Sequence, residues 1–392
     1  MLTPLLLTLA LVALVVSALE VGSLLHHLAK PPRRSAWTPT VSVLKPLCGR
    51  DANLEENLGS FLAQDYPRFE LLLGVRDAQD AAYPLACELA AAHPHRVRVH
   101  LQEGEPGLNP KVNQLVTLGR HAQGEVLVIS DSNVRAPPHY LPDLVAALED
   151  EAVGMVTSPI AGEGTTLGGR LDALHLHTYI TPAVLGCHYV ARQDLFVGKS
   201  MALRRTDLER VGGFRAFSRL LAEDHALGRA MLGLGKRAAL GRVPVVNVTN
   251  ASVRGVFDRY ARWGLMGRWV ARAGYPAEVV TYPLMLAALA LATNWRQPEV
   301  VAITSAIALA KVLLDALAIH ALTGRWPSLR TMALGPLKEV VMFAAFLKPL
   351  FGSQVQWRGK VFYVTRGTRL MSEAARTRLL RLRSRPALPL AG

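Results

Sequence analysis

The sequence predicts an α/β domain with a mostly parallel, Rossmann-like sheet, held between an N-terminal transmembrane helix and C-terminal membrane-associated helices. Three observations predict it. From Val41 to about Val248, short β-branched or apolar runs alternate with amphipathic helical stretches. The flanks are continuously apolar, over residues 2–25 on one side and in stretches after Trp269 on the other. Between them, acids follow apolar runs, at the strand ends where open α/β sheets bind ligands.

Residues 2–25 are nearly unbroken Leu, Val and Ala with one late acid, Glu20, and at about 1.5 Å rise per residue they are long enough to cross a bilayer. No basic residue precedes this run and Lys30, Arg33 and Arg34 follow it, so the positive-inside bias places the body of the protein in the cytoplasm. A cleaved signal peptide would need a positive front end, which this segment lacks. Strands are expected at 41–47, at 70–75 ending near Asp77, at 96–101, and at 125–130, which delivers Asp131; a helix is expected at 54–63. Further on, 279–292 and 300–322 read as a membrane hairpin. The stretch 331–351 is interrupted by Lys338, Glu339 and Lys348, and a third span would put the Arg-rich 366–385 on the outside, so an interfacial or re-entrant segment is expected. The resulting division is an anchor at 1–29, a cytosolic catalytic domain at 36–275, membrane or re-entrant helices at 276–352 and a basic tail at 353–392.

Composition agrees with a lipid-embedded part. Of 392 residues, 51% are hydrophobic, and the mean hydropathy is +0.22. Lys and Arg number 44 against 30 Asp and Glu, a net +14 that suits anionic headgroups or phosphorylated substrates. Nucleic-acid binding has that charge alone in its favour, without an interleaved aromatic platform, and is not expected. Cys48, Cys87 and Cys187 lack C-x-x-C spacing, so reduced thiols are expected rather than disulfides or a zinc site.

Four polar clusters then follow in order. Asp77 offers a carboxylate to an N–H donor such as a uracil imide, though with Asp80 nearby it also suits a solvated turn. Asp131-Ser132-Asn133 stands at a strand end, where Asp131 can bind Mg²⁺ or Mn²⁺ through oxygen and Asn133 can ligate only as a neutral carbonyl. Alone the triplet reads equally as a turn. Glu223-Asp224 opens an apolar helical stretch at 226–234, where one acid can cap the helix and the other project; Asp224 is taken as a general base toward an acceptor hydroxyl. Arg259 and Arg262, three apart, share a helix face and can pair with phosphate, and Trp263 can pack on a sugar or a lipid chain. The same segment reads as a basic amphipathic helix on the bilayer. Lys45 and Lys111 are candidate nucleotide contacts, and His188 has no role that its neighbours specify.

Taken jointly, residues 41–47, Asp77, Pro110-Lys111-Val112-Asn113, Asp131-Ser132, Cys187-His188, Ala222-Glu223-Asp224 and Arg259-x-x-Arg262-Trp263 resemble ceramide glucosyltransferases and their bacterial relatives, including the hopanoid-associated transferases. A weaker match falls at Gln356-Trp357-Arg358-Gly359. The resemblance implies a type A glycosyltransferase fold, a UDP-sugar donor and an inverting displacement onto a lipid at the cytosolic face of a bacterial inner membrane. It implies Asp77 for the nucleoside, Asp131 for metal and diphosphate, Asp224 as base, the Arg/Trp motif for acceptor and leaving group, and His188 near a substrate pocket. Asn133 departs from the usual D-x-D, and Arg259 from the usual leading Gln. The function expected is transfer of glucose from UDP-glucose to the primary hydroxyl of ceramide, with Mg²⁺ or Mn²⁺. Another lipid such as a hopanoid is the alternative acceptor, and a non-catalytic membrane scaffold is the alternative of another class.

Overall fold

The parallel strands begin together and end together, and this alignment builds the site. A computed structural model describes residues 1–357 and 359–383; Arg358 of the weaker match and 384–392 of the expected tail lie outside the described residues. Val41–Pro46 pairs in parallel with Phe69–Val75 on one side and Val126–Ser130 on the other, and Val97–Leu101 extends the parallel edge. Beyond Val126–Ser130 runs an antiparallel strand, Ser200–Arg204, followed by Val153–Thr157 and Arg237–Leu240, which completes a seven-stranded mixed sheet.

Alternation along each strand feeds two cores. Val41, Val43, Val126 and Val128 pack on one face with Phe61 and Tyr140; Leu44, Leu127 and Ile129 pack on the other with Leu115 and Leu118. Both faces are covered, so the strands are continuously apolar, and each fully buried large side chain contributes about 1.5–3 kcal/mol.

Leu2–Leu28 and Pro298–Thr323 are each long and apolar enough to cross a membrane. Leu2–Leu28 packs on both Pro283–Thr293 and Pro298–Thr323. The expected first arm of the membrane hairpin is not one helix: the helical course over Val253–Thr281 bends by 67° before Pro283–Thr293, as a proline at the start of a helix with no helical φ/ψ at Tyr282 requires. Gly335–Leu347 is a short helix whose interrupting charges point into protein: Lys338 Nζ donates to Thr178 Oγ1 at 3.2 Å and Glu339 Oε2 accepts from the Met285 amide at 2.9 Å.

Within the basic tail expected at 353–392, Gln354–Trp357, Lys360–Thr365 and Arg369–Ser372 form an antiparallel sheet. The Leu221 amide donates to the Thr368 carbonyl at 2.8 Å and the Leu370 amide to the Arg219 carbonyl at 2.8 Å, so this sheet is stitched to the loop ahead of Glu223. Leu221, Leu265, Val355, Phe362 and Val364 close a small core beneath it.

Candidate active site

Strand polarity assembles the charged cluster. Asp131 follows the carboxyl end of Val126–Ser130, and the antiparallel register sets Ser200 opposite Ser130, so the residues entering that strand arrive beside Asp131. Lys199 Nζ lies 3.0 Å from Asp131 Oδ2 and donates to Asn133 Oδ1 at 2.9 Å. From the other side comes the helix Pro110–His121. Its N-cap, Asn109, accepts from the Lys111 and Val112 amides, which puts Lys111 in the first turn. Lys111 Nζ sits 2.8 Å from Asp131 Oδ1 and 3.3 Å from Glu223 Oε1, and donates to the Gly198 carbonyl at 3.0 Å.

Burial and charge oppose one another here. Burial would raise the Asp131 carboxyl, but Lys111 and Lys199 outweigh it and hold the group well below the usual carboxylate range. Burial would lower Lys111, yet Asp131 and Glu223 keep it above the ordinary lysine value. For Lys199 burial wins over the attraction of Asp131, and its ammonium is lowered. Burial lifts Glu223 from 4.5 to about 6 against the pull of Lys111, and raises Asp224 in the same way.

The two neighbouring acids differ in their commitments. Glu223 is only 9% exposed; Asn109 Nδ2 donates to its Oε2 at 3.0 Å, and Lys111 holds its Oε1. Asp224 is half-buried, and accepts from the Gly198 amide at 2.7 Å and from the His225 amide at 2.8 Å. Each carboxylate oxygen keeps a second acceptor direction. A Cβ on Gly198 would come within 2.9 Å of Asp224 Oδ2 and 3.0 Å of Lys111 Nζ, so any larger residue there would displace one of these two side chains.

Two adjoining cavities surround these groups. One of about 490 Å³ is lined by Lys111, Asp131, Lys199, Asp224, Arg262 and Trp263 among others. The other, of about 1430 Å³, takes in Arg76, Asp77, Asp80, Gln102, Asn113 and Lys360. Cys48 and Trp357 line both. Asp77 Oδ1 accepts from the Gln79 amide at 3.1 Å, leaving its carboxylate half-exposed toward the larger space. The helix Val253–Ala271 carries Arg259, Arg262 and Trp263 into the smaller cavity. Arg259 is braced by Asp172 at 2.9 Å, and Arg262 lies over the Trp357 ring at 5.6 Å.

Three expected positions differ. Lys45 is fully buried, with Nζ 3.2 Å from the Val134 carbonyl and 3.7 Å above the Phe61 ring, so it senses Asp131 only through the field and lines neither cavity. The strand's alternation turns it under the sheet. His188 also lines neither cavity, because its helix, Thr181–Tyr189, packs against Leu2–Leu28 and its Nδ1 is 2.7 Å from Asp194. Asn133 lines the smaller cavity beside Asp131 and is already engaged there: its Oδ1 accepts from Lys199 and its Nδ2 donates to Asn247 Oδ1 at 3.0 Å. Asp131 itself fits a divalent cation, as a hard oxygen donor a quarter exposed to the cavity. Among the described residues no three His, Cys, Asp or Glu side chains group as a metal site, so the remaining ligands would have to come from diphosphate and water. Sequence reasoning missed Lys199 and Trp357 as site residues. Gly198-Lys199-Ser200 carried a signal, a lysine at a glycine turn before a strand; Trp357 carried only the weaker match at 356–359, which assigned it no role.

The fold is a mixed α/β sheet with acids at its strand ends. The sequence profile of Glycosyl transferase family 21 matches residues 5–370, and the chain belongs to that family. Ceramide glucosyltransferase 1 of Caenorhabditis elegans is 31% identical over 248 residues, 61% of this chain and 51% of the relative. Ceramide glucosyltransferase 3 of the same organism is 24% identical over 371 residues, 88% of this chain and 77% of the relative. The chain thus spans about half the length of the first of these. A mannosyltransferase from Pyrobaculum calidifontis, solved with GDP-Man and Mn2+, shares 22% identity with a TM-score of 0.47, over 88% of this chain and 99% of its own.

Proposed function

We propose that the protein is an inverting membrane glycosyltransferase that moves glucose from UDP-glucose to the primary hydroxyl of ceramide. The observation that carries this reading is the single cavity in which Asp131, Asp224, two lysines, two arginines and Trp263 converge, beside a larger one holding Asp77. Membership of the family and the names of its curated relatives support it. The larger cavity receives the nucleoside, with Asp77 accepting from the uracil imide. The diphosphate reaches across Cys48 and Trp357 to Lys111, Lys199 and Asp131, where ammonium groups neutralise its charge. Asp131 would hold a divalent cation, which would supply further Lewis-acid neutralisation of the diphosphate.

Asp224 takes the proton of the acceptor hydroxyl as its oxygen attacks the sugar's anomeric carbon; the bond to the UDP oxygen breaks, and the configuration inverts. Arg262, from the helix opposite, stabilises the departing diphosphate while Trp263 packs on the sugar or the lipid. Residues 1–29 and 276–352 anchor the catalytic domain at 36–275 on the cytoplasmic face of a bacterial inner membrane, bringing a lipid hydroxyl to a soluble donor. Mass spectrometry of lipids from a ceramide-containing host expressing the protein, with Asp224→Asn as control, tests the whole reading. A new hexosylceramide that is absent in the variant is expected. A hexosylated hopanoid in its place would replace the acceptor, and no new lipid with no UDP release would sink the enzyme reading.

A further inference from the structure

Asp172, in the helix Leu167–His175, has no exposed surface and lines neither cavity, yet it stands at one end of a chain of polar contacts that finishes at Asp131. Gly162, in the strand Ile160–Glu163, lets that helix settle on the sheet, since a Cβ there would stand 2.4 Å from Ala173 Cα. Beside that strand runs Val245–Val248, with Asn247 opposite Gly162 on one side and Val134 on the other. Arg259 Nη1 donates to Asp172 Oδ1 at 2.9 Å, and Asn247 Nδ2 donates to Asp172 Oδ2 at 3.0 Å. Asn133 Nδ2 in turn donates to Asn247 Oδ1 at 3.0 Å, and Asn133 Oδ1 accepts from Lys199 Nζ at 2.9 Å. Asn247 is 1% exposed and Asn133 9%, so water has little room to replace either amide's partners.

The chain has a direction. A carboxylate only accepts, whereas a side-chain amide donates from one side and accepts on the other. Asp172 therefore draws the NH2 of Asn247, which turns the Asn247 oxygen to Asn133; Asn133 meets it with its own NH2 and keeps its oxygen toward Lys199. Turned over, Asn133 would set its NH2 against the ammonium, donor against donor. Lysine is a flexible stem with three rotatable donors, so a fixed acceptor beside Asp131 decides where its charge stands. We propose that Asp172 is a positioning residue for Lys199: through Asn247 and Asn133 it fixes the amide oxygen that holds the ammonium beside Asp131, leaving a third N–H for a diphosphate oxygen in the cavity that Lys199 lines. The inference rests on the proposed UDP-sugar donor and names what aims one of its cations. Asp172 itself touches no substrate.

Calorimetric titration of the full-length protein in detergent with UDP, with and without Mg²⁺, reads Lys199 without any need for lipid. Asp172→Asn keeps the side chain's shape and an oxygen for Arg259 but turns an NH2 toward Asn247; both amides must then turn over, and Asn133 presents its NH2 to Lys199. UDP affinity is expected to fall roughly ten- to hundredfold, the weight of one hydrogen bond to a charged group. The double variant Asp172→Asn/Asn247→Asp keeps the pair's charge and shape and restores an acceptor facing Asn133, so affinity should return close to wild type. In a Lys199→Met background Asp172→Asn should cost nothing further, whereas a merely structural defect would add to the loss. Asn247→Leu cuts the chain in its middle and spares the Asp172–Arg259 pair, and it gives the same loss should Asp172→Asn fail to fold; thermal melts report the fold. Unchanged affinity in folded Asp172→Asn, a double variant that restores nothing, or a full further loss on top of Lys199→Met overturns the inference. Wild type that binds no UDP in either condition overturns the proposed donor, and the inference with it. Restored affinity in the double variant upholds the inference even where the wild type transfers nothing to ceramide, a result that would overturn the proposed acceptor alone.

Discussion

Lys111 Nζ is shared between two acids, 2.8 Å from Asp131 Oδ1 and 3.3 Å from Glu223 Oε1. One ammonium therefore ties the end of a central strand to the start of the helix Glu223–Gly233, and sets the charge of both acids. Lys111→Met removes the shared cation and leaves two partly buried carboxylates without the charge between them. Breaking a buried ion pair on one side costs about 3–5 kcal/mol, and Lys199 remains to compensate Asp131, so a loss near the lower end of that range is expected in denaturant melts. A change within error would show that the lysine is not bound as described.

Asp131→Ala should abolish turnover and weaken UDP binding most when Mg²⁺ or Mn²⁺ is present. Lys111 and Lys199 survive the substitution, so a residual, metal-independent affinity should remain. Calorimetric titration of UDP with and without each metal measures both parts. Metal-dependent affinity equal to wild type would remove Asp131 from cation binding.

For Asp224→Asn, UDP-sugar binding should persist while transfer falls by roughly 10² to 10⁴, the usual weight of one general base. Glu223→Gln should act differently, loosening Asn109 and Lys111 and so disturbing donor affinity together with rate. Parallel kinetics on the two variants in one detergent separates them. Near-normal transfer by Asp224→Asn excludes that residue as base.

The pH profile follows from the same burial. A base works only when deprotonated, and both acids are raised in the free enzyme, Glu223 to about 6, so kcat/KM should climb with pH through a limb lying above the ordinary carboxylate range. Stability runs with opposing signs. Asp131, held low, contributes stability that is present above its unfolded value and lost as pH falls; Glu223, held high, contributes most below its unfolded value and loses that contribution as pH rises through about 6. Rate measurements from about pH 5 to about pH 8 check the limb, and Asp224→Asn should flatten it.

Trp263→Ala removes an aromatic wall of the catalytic cavity, and should raise the KM for lipid while UDP affinity holds. Steady-state kinetics with varied lipid, beside a UDP titration, decides this. A variant that loses donor binding alone would contradict the placement.

Much of the frame was legible in residue order. The apolar runs that become Val41–Pro46, Phe69–Val75 and Val126–Ser130 announce buried parallel strands because a sheet covered on both faces must be apolar at every position. Leu2–Leu28 and Pro298–Thr323 are visible for a similar reason, since lipid demands apolar length. The Asp77, Asp131 and Asp224 positions could be picked out because each follows or opens such an element.

Sequence by itself thus determined the strands, the two long apolar helices and the acids at their ends, because those depend on local pattern and on which residues water rejects. Tertiary structure alone decided which cations reach the acids. Lys45 and Lys199 look alike as isolated lysines, yet the pleat turns one beneath the sheet onto Phe61 and the antiparallel register carries the other to Asp131. It also folded the strands Gln354–Trp357, Lys360–Thr365 and Arg369–Ser372 back over the loop before Glu223, setting Trp357 between two cavities. Such contacts join residues far apart in the chain, and their energy comes from burial and long-range pairing that no local pattern records.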